Sequence, residues 1–160
     1  MERKNIIIIG AAGRDFHNFN TYYRDKEAYN VVAFTAAQIP DIDGRKYPSE
    51  LAGELYPSGI PIYSQDQLPD LIKELEVNEC VFAFSDISYD AVMGIGAIVN
   101  AAGADFKLLG PNSTMLKSNK PVISVTAVRT GTGKSQTSRK IIETLLEHGI
   151  KVIAVRHPMP

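Results

Sequence analysis

Lys134 and Ser135 close the run Val128-Arg129-Thr130-Gly131-Thr132-Gly133-Lys134-Ser135, which lies between an apolar stretch and a helical pattern. Residue types in this order suit phosphate binding. Successive backbone N–H groups of a glycine-rich turn that opens onto a helix N-terminus form a concave anion site, and the lysine adds a mobile positive charge. Lys134 would neutralise β- and γ-phosphate oxygens of a nucleotide, and the Ser135 hydroxyl would coordinate a magnesium ion bridging them. Thr130, Gly131, Thr132, Gly133 and Gln136 would share the nucleotide loop with these two. Arg129 lies inside the loop, where a guanidinium would reach a phosphate or stabilise a transferring phosphoryl group. A surface salt bridge explains that arginine equally well. Glycine usually opens such a loop five residues before the Gly-Lys pair, and this chain has Val128 there. A fortuitous glycine-rich strand-to-helix turn is the alternative reading.

A second glycine turn, Gly10-Ala11-Ala12-Gly13-Arg14-Asp15-Phe16, follows the first apolar run and opens a helix. Gly10 and Gly13 would let the backbone approach an anionic ligand, and Arg14 would pair with its phosphate or carboxylate. A tight structural turn accounts for the same residues. The spacing departs from the dinucleotide fingerprint, with Phe16 in place of the third glycine, and the second strand ends Thr35-Ala36-Ala37-Gln38 without an acid for a ribose hydroxyl pair. Ser85 and Asp86 end a later strand at the same sheet edge, with helix capping as their structural alternative. Arg156 and His157 follow the last strand, at the carboxyl end where parallel sheets bind ligands, and are substrate-side candidates. His17, His148 and His157 share no metal-ligand spacing.

The elements that must position these loops follow the alternation of a parallel sheet covered by helices on both faces. Strands are expected at 5–9, 31–35, 79–84 and 106–109, and helices at 14–27, 66–75 and 88–102. The stripe Val92, Ile95, Val99 and Ala102 marks the last helix, and Gly103 supplies its stop. Residues 39–61 are rich in proline and glycine and read as a long excursion ordered by packing, with an interface or ligand role and a plain surface connection equally supported. Residues 109–121 read as a junction. Beyond it, a strand at 122–127, a helix at 134–147 and a strand at 151–155 form one βαβ unit. The fold expected is thus a Rossmann-like domain over 1–118, followed over 119–160 by the opening βαβ unit of a P-loop nucleotide-binding domain whose remainder lies outside the chain. About forty residues are too few to hold a core alone, so that unit is expected to pack on the first domain or on another chain.

Composition narrows the function classes. The 160 residues are 44% hydrophobic and 22% charged, as in globular proteins, and the formal net charge of −1 offers no broad attraction to nucleic acid or anionic membrane. Neither partner is expected. Cys80, the one cysteine, lies in an apolar run and reads as a core residue. The early apolar run is too short for a signal peptide or a membrane span, so a cytoplasmic location is expected.

Four segments together, Gly10 to Asn20, Val32 to Pro40, Ala127 to Gln136 and Val155 to Pro160, closely resemble the N-terminal part of the cyclic 2,3-diphosphoglycerate synthetase family. The resemblance runs across the whole chain and implies an ATP-dependent ligase that closes 2,3-diphosphoglycerate into an intramolecular cyclic phosphoanhydride, releasing ADP and phosphate. It implies ATP and Mg2+ at Gly131, Gly133, Lys134 and Ser135. It also implies that the N-terminal domain, with Arg14 and its neighbours, recognises the anionic substrate or forms a homodimer. Joining two phosphates calls for two anion-binding loops, because one phosphate must be activated while both are held against their repulsion. Members of the family are longer, and no magnesium-side carboxylate or base-recognition segment is identifiable here, so this chain alone is expected not to turn over. Three other readings stay open. One is a non-catalytic Rossmann-like module that binds a nucleotide or phosphorylated metabolite through residues 10–14, without dependence on Lys134. Another is a P-loop GTPase relative, which the loop permits. An NAD(P)-dependent oxidoreductase is disfavoured by the imperfect fingerprint.

Overall fold

Ile6, Ile7, Ile8 and Ile9 follow one another, and successive side chains of a strand point to opposite faces, so a strand made of them must be covered on both sides. The computed structural model, which describes residues 3–10, 13–37, 44–84, 87–126 and 131–155, places them in the centre of a sheet. All four are fully buried, with Ile6 and Ile8 in one core and Ile7 and Ile9 in the other. In chain order the elements are β1 (Lys4–Ile9), α1 (Arg14–Asn18) continuing into a π-helical turn (Phe19–Tyr23), β2 (Tyr29–Ala36), β3 (Lys46–Tyr47), α2 (Ser49–Ala52) and β4 (Ile60–Ser64). A 3-10 turn (Gln65–Gln67) then leads into α3 (Leu68–Glu74), followed by β5 (Glu79–Phe82), α4 (Tyr89–Ala102), β6 (Asp105–Leu108), α5 (Pro111–Thr114) and α6 (Lys134–Glu147).

The six strands lie in the order β3-β4-β2-β1-β5-β6, all parallel except the antiparallel pair β3–β4. From β1 the chain builds outward through β2 and β4, then returns to lay β5 and β6 on the other side. The reversal therefore falls between β1 and β5, and the loop after β1 opens at that crevice, where open α/β sheets take their ligands. This mixed α/β, Rossmann-like architecture is the one expected from the sequence.

The core on the α1 side is aromatic. Phe16 and Phe19 meet Phe34 edge-on at ring-centroid distances of 5.0 and 5.8 Å, and Tyr47 and Tyr56 join them. Full burial of each such ring contributes about 1.5–3 kcal/mol. The other core, built from Leu68, Leu71, Ile72, Val99, Cys80 and Phe82, is mostly aliphatic.

Helix 14–27 is shorter than its apolar pattern suggests, because the chain turns back after Tyr23 to set Tyr29 edge-on against it at 5.1 Å. Tyr23 also donates its hydroxyl to Glu79 (3.2 Å), which takes the Lys107 ammonium at 3.1 Å. The excursion contains more regular structure than expected, with Tyr47, Ala52, Tyr56 and Ile60 buried in the aromatic core. Pro61 hid β4 from the sequence reading. It is tolerated because it sits opposite Lys46 of the short strand β3, while pairing with β2 starts only at Ile62.

The chain divides into two compact units, Met1–Leu116 and Lys117–Met159. In the second, α6 has the expected bounds, and its end is closed by Ile150 N–H to Leu145 O (3.0 Å) and Gly149 N–H to Leu146 O (2.9 Å). The strands expected on either side of it are not formed at residues 122–126 and 151–155, the described parts of those segments. A strand is defined by its ladder, and these segments have no ladder partner among the described residues. Val122 and Val155 stand 71% and 95% exposed.

Candidate functional site

The turn before α6 is shaped for anions by its two glycines. Gly131 and Gly133 hold φ of 82° and 87°, in the left-handed region that side-chain-bearing residues avoid. With left-handed residues alternating in this way, neighbouring N–H groups converge on one side of the chain. Gly133 is the N-cap of α6, and its carbonyl accepts the first helical bond, from Thr137 N–H at 3.0 Å. No side chain caps this end. The amides of Lys134, Ser135 and Gln136 have no carbonyl one turn back within the helix, and the positive end of the helix dipole adds to their field. Lys134, Ser135 and Gln136 are all exposed at the mouth of the turn. The arrangement offers backbone donors, one ammonium and one hydroxyl to a polyphosphate. Arg129 and Thr130, expected in the same loop, and Arg156 and His157, expected beyond the last strand, lie outside the described residues.

The turn after β1 is bonded differently. Gly10 N–H donates to the Thr35 carbonyl at 2.8 Å, which continues the sheet by one rung. Gly13 N–H donates to the Asp15 carboxylate at 2.6 Å. Asp15 is 1% exposed and packs beside Gly10, so the anion nearest this turn is the protein's own. Arg14 is exposed at the first position of α1. Sequence reasoning passed over Asp15, and the available signal was an acid in the first helical turn directly after a Gly-x-x-Gly step. Ser85 and Asp86, expected at this edge, lie outside the described residues. His17 donates its Nε2–H to the Thr114 carbonyl at 2.7 Å, fixing α5 to α1.

Other ionisable groups belong to the framework. Burial, followed by the Glu79 charge, pushes the Cys80 thiol up to about 12, so it holds its proton at neutral pH and is neither a nucleophile nor a ligand. Burial likewise pushes the Tyr23 phenol up, and the adjoining Glu79 carboxylate adds to that shift. The Tyr23–Glu79–Lys107 group includes the first residue of β5, at the sheet edge opposite the loops. No group of three or more His, Cys, Asp or Glu side chains that could hold a metal ion occurs among the described residues, and none of the described helices is long and apolar enough to cross a membrane.

No protein-family model matches the chain. Over 159 residues, 99% of this chain and 36% of the relative, it is 63% identical to the arginine synthetase ArcE of Thermococcus kodakarensis. The chain thus spans about a third of that relative's length. Among solved structures it is similar to UDP-D-quinovosamine 4-dehydrogenase from Vibrio fischeri, with a TM-score of 0.50 and 19% identity over 68% of this chain and 80% of that one. It is also similar to RSP in complex with β-NADH, with a TM-score of 0.52 and 19% identity over 93% of this chain and 65% of that one. At such low identity the two structures bear on the fold alone, and both agree with a Rossmann-like sheet.

Proposed function

We propose that this chain supplies the nucleotide-phosphate site of an ATP-driven synthetase that makes arginine. The observation that carries the reading is the 63% identity, over 99% of the chain, with a protein named arginine synthetase. The open turn before α6 supports it, because a synthetase must hold the phosphates of the nucleotide it spends. The residues present fit that group. The first amides of α6, at 134–136, suit an anion, exposed Lys134 can swing over the outer phosphates, and the Ser135 hydroxyl suits a hard cation such as Mg2+. Making a guanidinium from a ureido carbon requires the carbonyl oxygen to leave. ATP transfers its terminal phosphoryl group to that oxygen and departs as ADP, and a nitrogen nucleophile then displaces phosphate. Within this scheme the chain's own residues bind and orient the phosphates and stabilise the charge that spreads over them during transfer.

A second reading keeps the same loop and changes the acceptor. The resemblance to the cyclic 2,3-diphosphoglycerate synthetase family favours a phosphate oxygen as acceptor and a cyclic phosphoanhydride as product. Calorimetric titration of the chain with Mg·ATP, Mg·GTP and 2,3-diphosphoglycerate separates part of this. ATP is expected to bind, and Lys134→Ala to weaken it about 10- to 100-fold, the worth of a charge-assisted contact. Wild-type affinity in the Lys134→Ala variant would remove the loop from the mechanism. For the acceptor, the full-length protein is given ATP with either a ureido amino acid plus ammonium or 2,3-diphosphoglycerate. Arginine and ADP as products support the first reading, and the cyclic anhydride supports the second.

A further inference from the structure

α4 and α6 each run out onto a left-handed glycine, Gly103 at φ 103° and Gly149 at φ 73°. α3 runs out onto Glu76 at φ 48°, the one residue other than glycine with a positive φ among the described residues. The helix end is otherwise of the usual kind: Val77 N–H donates to Ile72 O at 2.9 Å and Glu76 N–H to Lys73 O at 3.3 Å. Glycine would serve this backbone at lower cost, because a Cβ in the left-handed region crowds the following carbonyl. Such an outlier points to a use for the side chain.

Glu76 lines a cavity of about 240 Å3 together with Arg3, Lys4, Asn5 and Asn78. The cavity lies at the amino ends of β1 and β5, the sheet edge opposite the turn after β1. Asn5 fixes its frame: the N–H donates to Asn78 Oδ1 at 2.8 Å, Nδ2 donates to Leu75 O at 2.9 Å, and Oδ1 accepts from Asn30 Nδ2 at 2.9 Å. Arg3 is steadied by Nε, which donates to Tyr29 O at 2.9 Å. The charges here are not spent on one another, since Arg3, Lys4 and Glu76 have no ion-pair partner among the described residues. A simple anion would meet Glu76, and a simple cation would meet Arg3 and Lys4. A small molecule that carries both charges satisfies all three. The volume falls below the ~300–1,000 Å3 of pockets that take drug-sized ligands, so a nucleotide is too large for it.

We propose that this cavity binds a free α-amino acid as its zwitterion, with the carboxylate toward Arg3 and Lys4 and the ammonium toward Glu76. Open α/β sheets carry their chemistry at the carboxyl ends of the strands, so an occupant at the amino ends is a regulator and not a reactant. No residue of either glycine turn enters the argument, and the synthetase reading supplies only the choice of L-arginine as the first probe.

Thermal shift of the 160-residue chain with each common L-amino acid in turn, followed by calorimetry of those that bind, tests it. L-arginine is expected to bind, and its N-acetyl and methyl ester forms, each lacking one of the two charges, to bind about tenfold more weakly. Lys4→Met and Glu76→Gln, both at exposed positions, are expected to lose about tenfold each. Glu76→Gly separates ligand from backbone. It is expected to raise the unfolding temperature, because glycine suits the left-handed helix end, and to lose the ligand as Glu76→Gln does. A different amino acid held through Lys4 and Glu76 supports the site and cuts its tie to arginine synthesis. Binding by no amino acid overturns the proposal, as does equal binding of the blocked forms or binding indifferent to both Lys4→Met and Glu76→Gln. Arginine formation by the full-length protein is read separately, so either result can fail without the other.

Discussion

The two glycine-rich turns of this chain share their local parts and differ in what their N–H groups bond. Both carry two glycines and run straight into a helix. After β1, Gly10 N–H belongs to the sheet through Thr35 and Gly13 N–H belongs to Asp15, a carboxylate buried beside it. Neither helix is capped by a side chain, but before α6 the flanking residues are an exposed Lys134 and Ser135 and not a buried acid. Glycine content gives a turn its shape, and the side chains beside it decide what that shape holds. An acid two residues after the last glycine closes the first turn from within. A lysine one residue after the last glycine leaves the second open to an outside anion.

The largest effect that would test this contrast is at Asp15. Asp15→Ala leaves the Gly13 amide without its buried acceptor and is expected to destabilise the folded chain by about 1–3 kcal/mol, with Mg·ATP affinity unchanged. Urea unfolding and calorimetry on the same sample read both quantities, and a loss of nucleotide binding would mean the first turn takes part after all. Gly133→Ala comes next. Among the described residues an alanine there meets only Gln136 Oε1, at an ordinary 3.7 Å, so the penalty is the left-handed backbone itself, about 1–2 kcal/mol. If the turn relaxes to avoid that penalty its amides diverge, and nucleotide affinity is expected to fall roughly tenfold with little change in unfolding midpoint. Equal affinity would show that the amides of the second turn contribute little beside Lys134.

A third effect concerns Cys80, remote from both turns, and appears only at alkaline pH. Its folded thiol is raised from an ordinary value of 9.0 to about 12, so the folded chain keeps a proton that the unfolded chain gives up. The resulting stabilisation is present in full below the ordinary value and is lost as pH rises from there toward 12. Stability is therefore expected to fall between about pH 8 and about pH 10.5 more steeply in the wild type than in Cys80→Ala. Parallel declines would show that the thiol contributes nothing to the pH dependence.

Sequence patterns that carry their own punctuation were the legible ones. α4 starts where Ser88 accepts the Ala91 N–H and stops at left-handed Gly103, and α6 runs between Gly133 and Gly149. The run of isoleucines could only be a doubly covered strand. Features set by distant partners were not legible. The turn at Tyr23 depends on Glu79, which lies 56 residues away, and β4 depends on β3 to excuse its proline. Segments 122–126 and 151–155 have strand composition, but composition cannot supply the neighbour that makes a strand. At the candidate site, the lysine and serine were read from type and spacing. The role of Asp15 was not, because an acid in a first helical turn becomes the turn's own anion only once it is buried beside the glycines.

At its far margin the sheet ends on β6, whose outer side has no ladder partner among the described residues. Such an edge is a template for runaway cross-β growth, which recruits apolar segments of six or seven residues. Here the edge is four residues long, carries Asp105 and Lys107, and is bounded by Gly103 on one side and by Gly110 and Pro111 on the other. Leu108 stands exposed on it, yet an incoming strand would find a short, charged ledge that ends before it can be extended. The same brevity that makes β6 a modest contributor to the sheet makes its open edge a poor template for a second chain.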